Sequence, residues 1–280
     1  YEEAAETMLA SMEPLGEEYV KIVRHGLENR WVDVLENEGK RSGAYSTSAY
    51  GVHPYILMNY ENNLNNMFTL AHEFGHAIHS YLADRAQPYV YSQYTIFVAE
   101  VASTLNEHLL FHYLLQRTDS PAHRRYLINN YLDTIRGTVF RQVKFAEFEK
   151  LTHERVEGGG ALTADWMSER YYELVKQYYG PDMVADDEIA IEWARIPHFY
   201  RAFYVYKYAT GLAAATALGQ AILDEGRPAV ERYLNMLSRG GADYPLNLLK
   251  DAGVDMTGPE PVLQVMNVFE SLLDELEKLS

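Results

Sequence analysis

Apolar residues recur along this chain at helical intervals, segment after segment. Leu64, Met67, Phe68, Ala71, Phe74, Gly75, Ile78 and Leu82 follow asparagines at 62, 63 and 65, with no proline before Pro88; this predicts one long, largely buried helix. TIFVAEVASTLNEHLLFHYLL has the density of a second buried helix, reached through a loop over residues 84–91. The opening EEAAETMLASMEPLGEEYVKIVRHGL reads as amphipathic helix, and residues 124–156 form a long periodic segment, with Pro121 near its start and Gly158, Gly159 and Gly160 at its end. Thr163 is the expected N-cap of a helix through Tyr179, after which Pro181 turns the chain. Later helices are expected over 203–225, 229–239, 244–251 and 259–279. Tyr55-Ile56-Leu57-Met58, apolar and bounded by turn residues, predicts a strand. The fold class expected is mainly α: many helices, with a small β element over about residues 44–60 beside the helix at 64–82.

That helix carries His72-Glu73-Phe74-Gly75-His76, an H-E-x-x-H pattern. Residues i and i+4 differ by about 40° of rotation and about 6 Å of rise, so both imidazoles reach one ion from one face. Glu73 sits beside that face, placed to activate a water without being a ligand. Catalytic zinc usually takes three protein ligands, so the third decides the class. A histidine six residues after His76 would be needed for a metzincin, and position 82 is Leu82. His79 is nearer, but i to i+7 spans about 10.5 Å along a continuous helix, which suits a residue beside the ligands or facing substrate. Glu100, 24 residues after His76 (100 − 76), lies inside IFVAEVAS. A carboxylate there is costly to bury unless paired or metal-bound, and His, His and Glu from two helices form a catalytic zinc arrangement. Glu107 shares the face of Glu100 and could accept the second N–H of a zinc-binding histidine.

HEFGHAIHSYL, IFVAEVASTLNE and IPHFYRAFYVYKYATG, in this order, resemble the oligoendopeptidase F group of the thimet-type zinc metallopeptidases. The resemblance runs from GAYSTSAYGVHPYILMNY to YPLNLLKDAGVDM. It implies a gluzincin catalytic domain with one zinc ion per chain on His72, His76 and Glu100, cutting short peptides at internal bonds in a deep channel. It also implies a cytoplasmic enzyme. Members of that group are longer, so residues 1–280 are expected to be a C-terminal catalytic region. A missing N-terminal half, or a second copy in a homo-oligomer, would then cover it. The resemblance further assigns His198 and Tyr204 to the substrate carbonyl and Tyr208 to a further substrate contact. Better-known thimet-type members have a glycine-rich run after the histidine, where this chain has Phe-Tyr-Arg-Ala-Phe. The division of roles among Tyr200, Tyr204, Tyr206 and Tyr208 therefore stays open.

Composition narrows the partners. With 40 acidic against 24 basic side chains and a formal charge of −16, a nucleic-acid partner is disfavoured. There is no cysteine, hence no disulfide or thiol chemistry, and no apolar run approaches the roughly 18 residues that would span a membrane. An extended peptide substrate could add to the edge of the strand at 55–58 through main-chain hydrogen bonds. Two rival readings remain: a carboxypeptidase or dipeptidyl carboxypeptidase on the same ligands, and a non-catalytic metal-binding helical module. The latter has no need of Glu73.

Overall fold

The structure, a computed structural model, describes residues 1–279. It divides into two compact units, Tyr1–Leu132 with Thr210–Ser280, and Asp133–Ala209.

The first unit is built on two long helices, α3 (Leu64–Ala86) and α5 (Ile96–Arg117). The Asn63 side chain caps α3 by accepting from the Asn66 amide at 2.9 Å, one of the four orphan donors of a helix start. Leu70, Phe74, Ile78, Val101 and Leu105 interlock between the two helices with no exposed surface. Each buried side chain of this size contributes about 1.5–3 kcal/mol. α1 (Glu2–Ser11), α2 (Glu17–Glu28), α10 (Arg227–Ser238), α11 (Pro245–Ala252) and α12 (Glu260–Lys278) complete this unit, with most of α9 (Tyr206–Glu225) and α6 (Pro121–Ile135). Buried Asn106 of α5 ties three helices together: it donates to the Ala71 carbonyl at 3.1 Å and accepts the Tyr19 hydroxyl at 3.0 Å.

The opening segment is not one helix. Pro14 and Gly16, at φ 88°, break it into α1, a 3₁₀ turn over Glu13–Leu15, and α2. The loop expected over 84–91 is mostly helical, because α3 runs to Ala86 and a turn, α4, covers Tyr89–Ser92.

A three-stranded sheet lies between α2 and α3 in the chain. Its order is β1 (Val32–Asp33), β3 (Tyr55–Leu57), β2 (Tyr45–Thr47), with β1 parallel and β2 antiparallel to β3. The strand expected at 55–58 is therefore central, with neither edge free. The outer strands are β1 and β2.

In the second unit α6 ends at Ile135, and the segment expected as one helix over 124–156 is interrupted by a π-helical turn, Arg136–Phe140, before α7 (Arg141–Glu157). α8 (Ala164–Tyr179) starts on the Thr163 side chain and ends at Gly180, φ 77°. Phe145, Phe148, Tyr171 and Val175 form its core. Two 3₁₀ segments follow, Asp187–Arg195 and Pro197–Tyr200. The helix expected from 203 begins only at Tyr206, because Phe203 has φ 53°, outside the helical region. No helix among the described residues is long and apolar enough to cross a membrane.

Candidate metal centre

At Gly75, α3 and α5 meet with almost no side chain between them. A Cβ on Gly75 would stand 2.5 Å from both the Ala102 carbonyl oxygen and the Ser103 Cα. Only glycine allows that approach, and it lies less than one turn beyond Glu100 on α5. From the far side, Gly211 of α9 packs on the same residue, its hypothetical Cβ 3.2 Å from the Glu100 Cβ.

The approach gathers three donor atoms. His72 Nε2 and His76 Nε2 are 3.2 Å apart, and Glu100 Oε2 lies 3.6 Å from the first and 3.8 Å from the second. Ligands at 2.0–2.1 Å from a tetrahedral ion stand about 3.3 Å from one another. The donor set fits a metal of that coordination, with the carboxylate slightly withdrawn. Among the described residues this is the one group of three or more such side chains that could hold an ion.

The outer nitrogens of both rings are also engaged. His72 Nδ1 donates to Glu107 Oε1 at 2.5 Å, and the His76 ring donates to the Ala99 carbonyl. Each bond selects the tautomer that aims an Nε2 lone pair inward. Burial pushes the His72 pKa down, but the Glu107 hydrogen bond and the charges of Glu107, Glu100 and Glu73 outweigh it and hold His72 at about 9. His76 is lowered to about 3 by burial and by the His72 charge. A proton on His72 thus faces a neutral His76.

Glu73 is 6% exposed, and its Oε2 has no hydrogen-bond partner within the protein. Burial raises its pKa to about 7, opposed by the His72 charge and by the Ser46 backbone amide of β2, and reinforced by Glu100 and Glu107. A carboxyl group with a pKa near neutrality can both take and return a proton.

His79 is elsewhere. It is 1% exposed and stacks on Tyr94 with ring centroids 3.5 Å apart and planes at 5°; burial, then His76, lowers its pKa to about 3. A substrate-facing position does not agree with that burial, whereas a place beside the ligands does, since the electrostatic effect of His76 reaches the ring.

In the second unit, His198, Tyr204 and Tyr208 form a cluster of their own. The His198 and Tyr204 rings lie 5.7 Å apart at 25°, the Tyr208 hydroxyl is 3.4 Å from His198 Nε2, and Tyr204 and Tyr208 meet edge-on at 5.6 Å. Tyr200 is 91% exposed. The four phenols do not share one helix: they sit in a 3₁₀ turn, a non-helical bend and the first turn of α9.

Sequence reasoning passed over Gly75, Gly211, Ser46 and Asn106. The small residues Gly75, Ala99, Ala102 and Ser103 at facing positions are the signal that would have located the helix contact.

Comparisons with known proteins find relatives along the whole chain. Oligopeptidase PepF of Bacillus subtilis (strain 168) is 57% identical over 279 residues, covering 100% of this chain and 42% of its own length. A crystal structure from Chlamydophila abortus matches with a TM-score of 0.91 at 44% identity, over 100% of this chain and 47% of that one. The oligoendopeptidase-F from Enterococcus faecium matches with a TM-score of 0.76 at 40% identity, over 99% and 43%. The chain thus spans less than half the length of the curated relatives it matches. The sequence profile described as Peptidase family M3 matches residues 2–268, nearly the whole chain, and on that ground the chain belongs to peptidase family M3.

Proposed function

We propose that the protein carrying this chain is a zinc-dependent endopeptidase that hydrolyses internal bonds of short peptides. One observation carries the proposal: His72 Nε2, His76 Nε2 and Glu100 Oε2 converge from two helices, beside a buried carboxyl group, Glu73, that is not needed as a ligand. A purely structural site has no use for such a base.

When bound there, zinc would polarise the scissile carbonyl and make water more acidic. His72, His76 and Glu100 would hold it, Glu107 keeping the His72 proton on Nδ1. The Glu73 carboxylate takes a proton from the attacking water and delivers it to the leaving amine. Burial raises its pKa to about 7 against the His72 charge, and a dication would pull it down, favouring the unprotonated form that acts as base. His198 and Tyr204 are assigned the donors to the developing oxyanion, with Tyr208 as a substrate contact. Support for that assignment is the sequence block they share with the oligoendopeptidase F group and their clustering within their own unit. A covering N-terminal half or a second copy, and a cytoplasmic site of action, belong to the same proposal.

Zinc stoichiometry measured together with product mapping on a peptide library tests it. One zinc per chain and internal cleavage of peptides with blocked C-termini are expected. Cleavage only of free C-termini would make the protein a carboxypeptidase, and metal without cleavage a structural module.

A further inference from the structure

Phe203 is one of two non-glycine residues, with Arg30, that adopt positive φ among the described residues, at 53° and 60°. Arg30 closely follows the end of α2, where left-handed residues commonly terminate helices. Phe203 has no such excuse, since it lies between a 3₁₀ turn and α9. An aromatic residue held there is strained, and strain of this kind persists only where surrounding structure over-determines it.

What over-determines it is α7. Glu149, 4% exposed, accepts the Phe203 amide N–H on Oε1 at 2.6 Å. One turn further along α7, the His153 ring lies 4.6 Å from the Phe203 ring. Phe203 is therefore gripped at its backbone and at its side chain by residues i and i+4 of one helix face. The neighbouring Phe145 and Phe148 are buried in the unit's core, which packs this stretch of α7 in place. On the other side of His198, buried Glu192 accepts Arg141 at 2.6 Å, Arg195 at 3.0 Å and the Tyr171 hydroxyl, which anchors the preceding 3₁₀ segment.

We infer that Glu149 is a positioning residue: by holding the Phe203 amide it sets the bend from which Tyr204 is laid against His198. This rests on the reading of His198 and Tyr204 given under the proposed function. The direction in which the chain leaves Phe203 decides where the next ring lies. Released from Glu149, Phe203 would relax to negative φ and Tyr204 would turn away from His198. Glutamine at 149 keeps an acceptor oxygen and should keep the bend. Alanine should lose it, and glycine at 203, which takes positive φ without strain, should recover it.

The test uses the metal-loaded full-length peptidase. Glu149→Ala is expected to lower kcat for a peptide substrate about tenfold or more with KM little changed and metal content equal, while Glu149→Gln stays within about threefold. Hydrogen exchange at the Phe203 amide should accelerate about tenfold or more in Glu149→Ala alone. Adding Phe203→Gly to Glu149→Ala should return a substantial part of kcat, which a residue needed only for stability would not show. Unchanged exchange at Phe203 in Glu149→Ala, or no recovery from the second substitution, overturns the inference. If the unsubstituted protein cleaves no peptide, the functional reading fails on its own. In that event the exchange measurement still decides, since acceleration supports the Glu149 grip and its absence refutes it.

Discussion

Gly75 and Ala102 bring two helix backbones into contact: a Cβ on Gly75 would lie 2.5 Å from the Ala102 carbonyl oxygen. Both sides of that contact are main chain and cannot swing away. Gly75→Ala is therefore expected to force α3 and α5 apart, destabilising the protein by about 1–3 kcal/mol and weakening metal binding by moving Glu100 from the two imidazoles. Thermal unfolding and metal titration check both effects. Gly137→Ala, with nothing within 4 Å of the added atom, is the control, and equal stability in the two variants would refute the argument.

Glu73 has no ligand role in the proposed mechanism, so its carboxamide should separate binding from chemistry. Glu73→Gln should retain its metal and lose about 10²- to 10⁴-fold in turnover. Near-normal turnover at matched metal content would remove Glu73 from the proton path.

Glu100 and His79 distinguish ligation from packing. Glu100→Ala removes one of three converging donors, and the expected outcome is a steep fall in zinc affinity. His79→Ala removes a ring stacked on Tyr94 and should lower the melting temperature with much less effect on zinc. The opposite ranking in a zinc titration would mean that the ion lies elsewhere on α3.

The raised pKa of His72 has a consequence for metal uptake. With its pKa at about 9, His72 is protonated at neutral pH in the metal-free protein, and the proton must leave when the ion binds. From this group alone, apparent affinity should rise about tenfold per pH unit as pH climbs toward 9. The same shift stabilises the metal-free fold: the folded pKa is above the unfolded 6.5, so the contribution is full below 6.5 and is lost as pH rises through about 9. Glu107→Gln removes the main charge holding the proton and should reduce the protons released near pH 8. Calorimetry in two buffers of different ionisation enthalpy measures that release. An unchanged release would show that Glu107 does not control His72.

Much of the site was legible in one dimension because helices translate sequence spacing into space. His72, Glu73 and His76 share a helix, so their mutual placement follows from about 3.6 residues per turn. Glu100 could be named because a carboxylate inside IFVAEVAS demands a reason. Non-helical geometry was not legible. The π-helical turn at Arg136–Phe140, the central place of β3 and the backbone of Phe203 all depend on partners distant in the chain, such as Glu149, 54 residues away.

The sequence by itself determined the family of the protein, the helix that carries His72, Glu73 and His76, and the expectation that Glu100 joins them. All of these are local patterns or the cost of burying one charge. Tertiary structure alone decided that the three donors come within 3.2–3.8 Å of one another, that the His79 ring is buried against Tyr94, and that Tyr204 lies against His198 while Tyr200 is exposed. Those outcomes depend on how closely two backbones approach and which way a strained bend turns. Such quantities are set by Gly75 against Ala102 and by Glu149 against Phe203, contacts between residues that no local spacing relates.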